Sequence, residues 1–514
     1  MRMLPKIFYI VAIVTVILGV SGIFLDVGVI GSSILALIGC LVIAVGLLFR
    51  RAFEKRPKAF LALAISSMLV IQVVIGLSLF SQNHAWDAGV VDMLARNYLD
   101  HGTTEVSEHM WEHGYLGRYG NNIPITLVLA GIYWLADTMS VSRGGLALLF
   151  NMIFIFSSGV IVVWLAQKVW GIRAAVFAWI GTTLLMITST HVATFYTDTV
   201  GLFFVSLQLL VFYVIWSQSR HRMAMIGLLG LIAPVGFLIK PTSLIFIMAL
   251  IAGFLVLNYN FVLKNWNRAL KATVVFIGPF LLVMLLYGHL ISSLPGFADY
   301  SKEELDRQRV SAIHYAGMGA LRGLEPYPEC KIGAYCPAYV DYIIGASDLD
   351  SVAKKNQYSI NIAKNSIMTD FPVGYGSFLL KKVSFVMSDG SFSSWGEGAS
   401  LNHNIIFKLD GPPFESIRRL VGPMGDLRTA MRLLWQAIWL LILGLIGFSA
   451  VKLWKSKKAS LYLLTLMISI AGLVAYQMIF EGRARYIFLY LPIFILIASY
   501  GFSKMSLRGW CNKF

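Results

Sequence analysis

Residues 59–80 read AFLALAISSMLVIQVVIGLSLF, twenty-two residues without a charged side chain. Wound as a helix rising 1.5 Å per residue, the run reaches about 33 Å, enough to cross the ~30 Å hydrocarbon core of a bilayer. The next twenty residues, SQNHAWDAGVVDMLARNYLD over 81–100, reverse the composition. Outward from this boundary the same alternation recurs. Apolar runs of roughly 17–24 residues lie near 5–25, 28–49, 145–167, 174–191, 199–217, 222–238, 242–260, 271–292, 430–452, 459–480 and 486–504. Membrane barrels are built from strands that alternate apolar and polar residues, and these runs do not alternate. The expected fold is an all-α polytopic membrane protein with about 12 transmembrane helices. Residues 123–138 would make 13. That stretch is short, holds Pro124 and ends near Asp137, and letting it cross would carry Lys168 and Arg173 outside. We therefore expect it to lie at the outer interface or to enter the membrane only half-way.

Composition agrees. Of 514 residues, 58% are hydrophobic and 13% charged, against about 25% charged in soluble domains. The net charge of +16 invites a nucleic-acid reading, but its distribution opposes one. With the N-terminus in the cytoplasm, the cytoplasmic segments hold 21 Lys/Arg and one acid, Glu54, while the outer segments hold 21 Lys/Arg and 25 acids. Such an excess of positive charge on one side sets topology and favours anionic membrane lipid. The expected setting is the plasma or inner membrane, with both termini cytoplasmic and no nucleic-acid partner.

Four regions follow. Residues 1–58 form a two-helix hairpin and a basic loop. Residues 59–292 form a membrane core that includes a first outer loop, 81–122. Residues 293–429 form a large outer loop, in which 302–309 and 351–367 read as helical. Residues 430–514 add membrane helices and a basic tail. Cys40 lies in a span and Cys511 in the tail. Cys330 and Cys336 share the large loop, where an oxidising face would bridge them.

Charged groups at the outer ends of spans are the candidates for chemistry. Asp87 follows His84-Ala85-Trp86 at the membrane lip, placed to take a proton from a hydroxyl or to hold a metal. Asp92 and Arg96 are spaced for an ordinary i,i+4 helix pair. Asp198, in Phe195-Tyr196-Thr197-Asp198-Thr199, is either a functional acid or an N-cap. Lys240-Pro241-Thr242 offers a cation that snorkels or binds phosphate. Glu481-Gly482-Arg483-Ala484-Arg485-Tyr486 puts arginines on the outer side, against the charge rule, which an anionic ligand would explain. Arg118, with Asn121 and Asn122, reads as a sugar or phosphate grip, or as a turn.

Together, Trp86-Asp87, Tyr196-Thr197-Asp198-Thr199, Lys240-Pro241-Thr242 and Glu-x-Arg-x-Arg-Tyr before a proline-containing last span resemble the GT-C membrane glycosyltransferases. The likeness covers roughly 59–505 and is nearest to the branch of protein O-mannosyltransferases and aminoarabinose transferases. It implies a GT-C-type bundle with two extracytoplasmic loop regions, to which 5–49 is an N-terminal addition. Two stretches of the large loop are similar to motifs of bacterial members. One is His314-Tyr315-Ala316-Gly317-Met318-Gly319 with Gly333-Ala334-Tyr335 and Asp341. The other is Lys381-Lys382 followed by Ser388-Asp389-Gly390-Ser391-Phe392. Many members carry an acidic pair in the first loop, whereas Ala88 follows Asp87 here. The base role then rests on Asp87 alone, and a divalent cation at Asp87 and Asp198 is left open.

The resemblance implies transfer of a monosaccharide from a polyprenyl-phosphate donor to a lipid, polysaccharide or protein acceptor on the extracytoplasmic face. The donor phosphate would meet Lys240, Arg483, Arg485 and Tyr486. A flippase or transporter is one rival, though few charges fall in mid-span. The other is a ligase using diphosphate-linked glycans, which would not require Asp87 and Asp198 where they stand.

Overall fold

The computed structural model describes residues 4–81, 86–107, 110, 112–218, 220–395, 407–456 and 460–505. His84 and Cys511 lie outside the described residues. Every regular element among the described residues is helical, and the one β-bridge pairs Ser81 with Phe407. Among the described residues, ten helices are long and apolar enough to cross a bilayer.

The chain opens with α1 (Leu4–Asp26) and α2 (Gly31–Phe53). They are separated at Gly28, whose φ of 65° is open to glycine and strained for other residues. The break turns the chain back. Lys6 lies over the Trp454 ring at one end of the bundle, Asp26 meets Arg432 at the other, and Arg50 returns to the first end beside Arg173. The hairpin expected over 1–58 is therefore present. It is no appendage, however, because α1 packs along helices from both the large loop and the C-terminal region.

Next come α3 (Pro57–Ser78), α4 (Trp86–His101), α5 (Ile123–Thr138), α6 (Arg143–Trp170) and α7 (Ile172–Thr182). A single π turn extends α7 to Ile187. Then follow α8 (Thr197–Ser217), α9 (Arg222–Ile239), α10 (Leu244–Lys264) and α11 (Trp266–Ser292). The large loop holds α12 (Ala312–Gly319), α13 (Pro337–Gly345), α14 (Val352–Met368), α15 (Val373–Ser388) and α16 (Pro412–Val421), besides a short helix Lys302–Gln308. The chain closes with α17 (Arg428–Lys455), α18 (Leu461–Ile479) and α19 (Leu491–Lys504).

Two helices mark the extremes of burial. In α19, Ile493 to Ala498 are all 0% exposed, so this short apolar helix is the axis of the bundle. By contrast, α11 buries no residue and turns Val274, Leu281, Leu285 and Leu286 outward. It docks on α9 where Gly230 lets the Phe276 carbonyl approach, a Cβ there standing 2.3 Å from that oxygen. Such a helix is stable only where its surroundings are as apolar as itself, as in lipid.

The stretch 123–138 is α5, and both its ends lie on the same side of the bundle. Asn122, just before it, bonds Tyr115 and Tyr196, while Asp137 at its end pairs with Arg143 at 2.7 Å. Arg143 also pairs with Asp100 at 2.8 Å, which ties α4, α5 and the start of α6 together. Those ion pairs hold the carboxyls of both Asp137 and Asp100 below the usual carboxylate range.

Candidate active site

At the end of the bundle opposite Lys6 and Arg50, the two loop regions enclose a cavity of about 2300 Å3. A single small-molecule site is typically about 300–1,000 Å3, so this one has room for two partners. Its wall comes from α1, the first loop, the Lys240–Thr242 turn, the large loop and the segment 480–486.

The carboxylate of Asp87, in the first turn of α4, is about one-third exposed to the cavity. Tyr115, fully buried, donates to its Oδ1 at 2.7 Å. The Tyr115 hydroxyl also accepts from Asn122 Nδ2 at 2.7 Å, which fixes the direction of its proton. Burial first, then the Asp87 charge, pushes the Tyr115 pKa well up, so it stays a donor. Trp86 precedes this aspartate with φ 56°, a conformation costly for a bulky residue and one that clusters at functional sites.

Arg485 lies between the two candidate acids. Its Nη2 is 3.8 Å from Asp87 Oδ2 and its Nε is 4.0 Å from Asp198 Oδ2. On the other side Asp198 meets Lys240 Nζ at 2.9 Å, and that ammonium also donates to Thr197 Oγ1 at 3.2 Å. Asp198, Lys240 and Arg485 are nearly sequestered from solvent, and Tyr196 and Tyr486 supply aromatic faces to both cations. Arg483 pairs closely with Glu481 and lies 4.9 Å from the Tyr335 ring. Tyr486 donates to Glu481 at 3.2 Å. Thus four sequence motifs, spread from Trp86 to Tyr486, meet in one charge-balanced cluster.

Asn121 and Asn122 line the cavity, and Asn121 donates to Asn122 Oδ1 at 3.2 Å. His314 also lines it, 2% exposed and stacked 5.1 Å from Tyr339. Its Nδ1 has no hydrogen-bond partner among the described residues. Burial lowers its pKa to about 4, so the ring is neutral at neutral pH.

Four expectations are corrected. Arg118 does not line the cavity; its guanidinium donates to the His113 carbonyl at 2.6 Å. Asp341 is exposed and away from the wall. Lys382 is fully buried behind the wall, on three backbone carbonyls. Asp389 reaches the cavity, but its oxygens accept from Ser391 N, Ser391 Oγ and Ser393 N at 2.8, 2.6 and 2.8 Å, so it builds a turn. That turn carries Phe392 and Ser393 at positive φ. Asp92 is structural too, held by Arg96 at 3.0 Å and by Tyr133.

The donor set does not fit a divalent cation at Asp87 and Asp198. Arg485 already reaches both acids, and Lys240 holds the inner one, so an ion between them would meet two fixed positive charges. Among the described residues the one acid–thiol grouping is Glu329, Cys330 and Cys336, and those sulfurs are joined in a disulfide with Cα atoms 5.7 Å apart. The bridge expected in the large loop is thus present.

Sequence comparison adds the family. The family described as conserved hypothetical integral membrane protein matches residues 2–506. The chain belongs to this family. No curated protein and no solved structure matches it. Membership of an integral membrane family agrees with the lipid-facing α11 and with the ten span-length helices. Tyr115 is the site residue that the sequence reading missed. Its signal was faint, a tyrosine in an aromatic–glycine stretch a few residues before Asn121.

Proposed function

We propose that this protein is a GT-C-type membrane glycosyltransferase, inverting, which moves a monosaccharide from a polyprenyl-phosphate carrier to an acceptor hydroxyl on the extracytoplasmic face. One observation carries the reading. A carboxylate about one-third exposed, Asp87, is aimed by a buried tyrosine into a two-partner cavity, 3.8 Å from an arginine that belongs to a buried cationic pair. The acceptor oxygen attacks the anomeric carbon as its proton passes to Asp87. The bond from that carbon to the phosphate oxygen breaks, and polyprenyl phosphate leaves. Lys240, Arg483 and Arg485 supply positive charge where the phosphate charge grows, pre-placed by their acid and aromatic partners. Asp198 is a positioning group that keeps Lys240 and Arg485 in place. In this reading about 12 helices cross a plasma or inner membrane with both termini in the cytoplasm.

The test is transfer by purified protein in detergent. A panel of polyprenyl-monophosphate sugars is offered with membrane extract as acceptor. Transfer is expected to fall by about 10²–10⁴-fold in Asp87→Asn, with donor affinity kept, because that is the usual cost of losing a general base. Wild-type transfer by that variant ends the base assignment. Donor binding without transfer by the wild type moves the reading to a flippase.

A further inference from the structure

Behind the cavity wall, the ammonium of Lys382 on α15 is 0% exposed and caps three backbone carbonyls. It donates to Gly319 O at 2.6 Å, to Phe480 O at 2.6 Å and to Met478 O at 3.4 Å. Three tetrahedral donors and no acceptor suit a lysine to such a carbonyl trio better than any neutral side chain. The site is also cut to fit. A Cβ on Gly319 would stand 2.5 Å from the carbonyl carbon of Phe480. One on Gly333 or Gly482 would stand 2.9 or 3.0 Å from Lys382 Cε. Gly333 also has φ 63°, and its carbonyl accepts from Gly482 N–H at 2.8 Å.

The consequence is positional. Gly319 ends α12, which carries His314, and Gly333 stands two residues before Tyr335. Met478 and Phe480 end α18 and lead at once into Glu481, Arg483 and Arg485. One buried ammonium therefore joins the large loop to the segment that bears the cavity arginines. We infer that Lys382 is a positioning residue whose ammonium sets the place of the 478–485 segment and, through it, the anion affinity of the cavity. The ligand named here rests on the proposed function; the geometry of the lock does not. Burial lowers the Lys382 pKa to about 7, against the pull of the Glu481 charge. Even the neutral amine keeps two N–H groups for the two short bonds, so the lock does not depend on its titration.

Two readouts on the full-length protein in detergent test this: amide exchange at Gly482, and the Kd of farnesyl monophosphate as a short polyprenyl phosphate. In Lys382→Met, Gly482 exchange should quicken at least tenfold and the Kd weaken at least tenfold, while amides of α19 keep their rates. Gly482→Ala, which crowds Lys382 without removing its charge, should move both in the same direction by less, and it decides the matter if Lys382→Met fails to fold. A purely structural lysine would raise exchange throughout and leave the Kd of the folded fraction unchanged, which overturns the proposal. If wild type does not bind farnesyl monophosphate, the proposed function fails, and unchanged Gly482 exchange in Lys382→Met would then sink the lock by itself.

Discussion

Asp198 and Lys240 stand 2.9 Å apart with almost no solvent, so each makes the other affordable, and Arg485 shares the acid. Taking Asp198 away would strip the buried ammonium of that acid, whereas without Lys240 the acid would still have Arg485. His314 is a different kind of buried residue, whose burial outweighs the pull of the Glu481 charge. Because its pKa falls from 6.5 to about 4 on folding, the unfolded chain takes up the proton first. Stability from this residue is therefore full above pH 6.5 and is lost as pH falls toward 4. The loss is roughly 3 kcal/mol by linkage. Chemical unfolding at pH 7.5 and 4.5 should show a drop of that order in wild type beyond the drop in His314→Phe, whose ring cannot titrate. Equal pH dependence in the two would mean that the imidazole is not desolvated as described. At this scale the sequence was readable where a charge sat on the wrong side of a hydropathy boundary, as at Asp87, Asp198, Lys240 and Arg485. It was not readable for Tyr115, whose value lies only in which oxygen it faces. Nor was it readable for Lys382, where the neighbouring Lys381 is the one on the cavity wall.

Elements were legible by length. Runs of about twenty apolar residues became helices, and the helices expected over 302–309 and 351–367 appear as Lys302–Gln308 and α14. What length could not show is the packing of the large loop. α15 lies along α1, with Ser384 Oγ donating to Leu18 O at 2.9 Å, so a loop helix and the N-terminal hairpin share one surface. The α12–α13 corner is closed by the Cys330–Cys336 bridge, and both cysteines join the small apolar cluster around Tyr339 and Ile343. A bridge over so short a loop stabilises by about 2 kcal/mol on the chain-entropy account. Replacing both cysteines by alanine should lower the unfolding free energy by about that much and open the 320–350 region to protease before the membrane helices. Unchanged proteolysis there would show that the apolar cluster alone holds the corner.

For the whole molecule, orientation is the question on which the location of the chemistry depends. The bundle has two unlike ends: Lys6, Arg50, Arg173 and Lys452 gather at one, the acid-rich loops and the cavity at the other. An anionic cytoplasmic leaflet attracts each nearby Lys or Arg by roughly 1 kcal/mol, and the bias is counted over short loops near helix ends. The 21 Lys/Arg against a single acid in those short segments are what support the proposed orientation, with the cavity outside. The disulfide argues the same way, since thiols at a reducing face would stay apart. A cysteine placed at Lys302, an exposed residue of the cavity end, should react with a membrane-impermeant maleimide in intact cells, in a background where Cys40 and Cys511 are serine. One placed at Lys455 should react only after the membrane is permeabilised. The reverse pattern would put the cavity in the cytoplasm, where a carrier sugar presented on the outer leaflet could not reach Asp87.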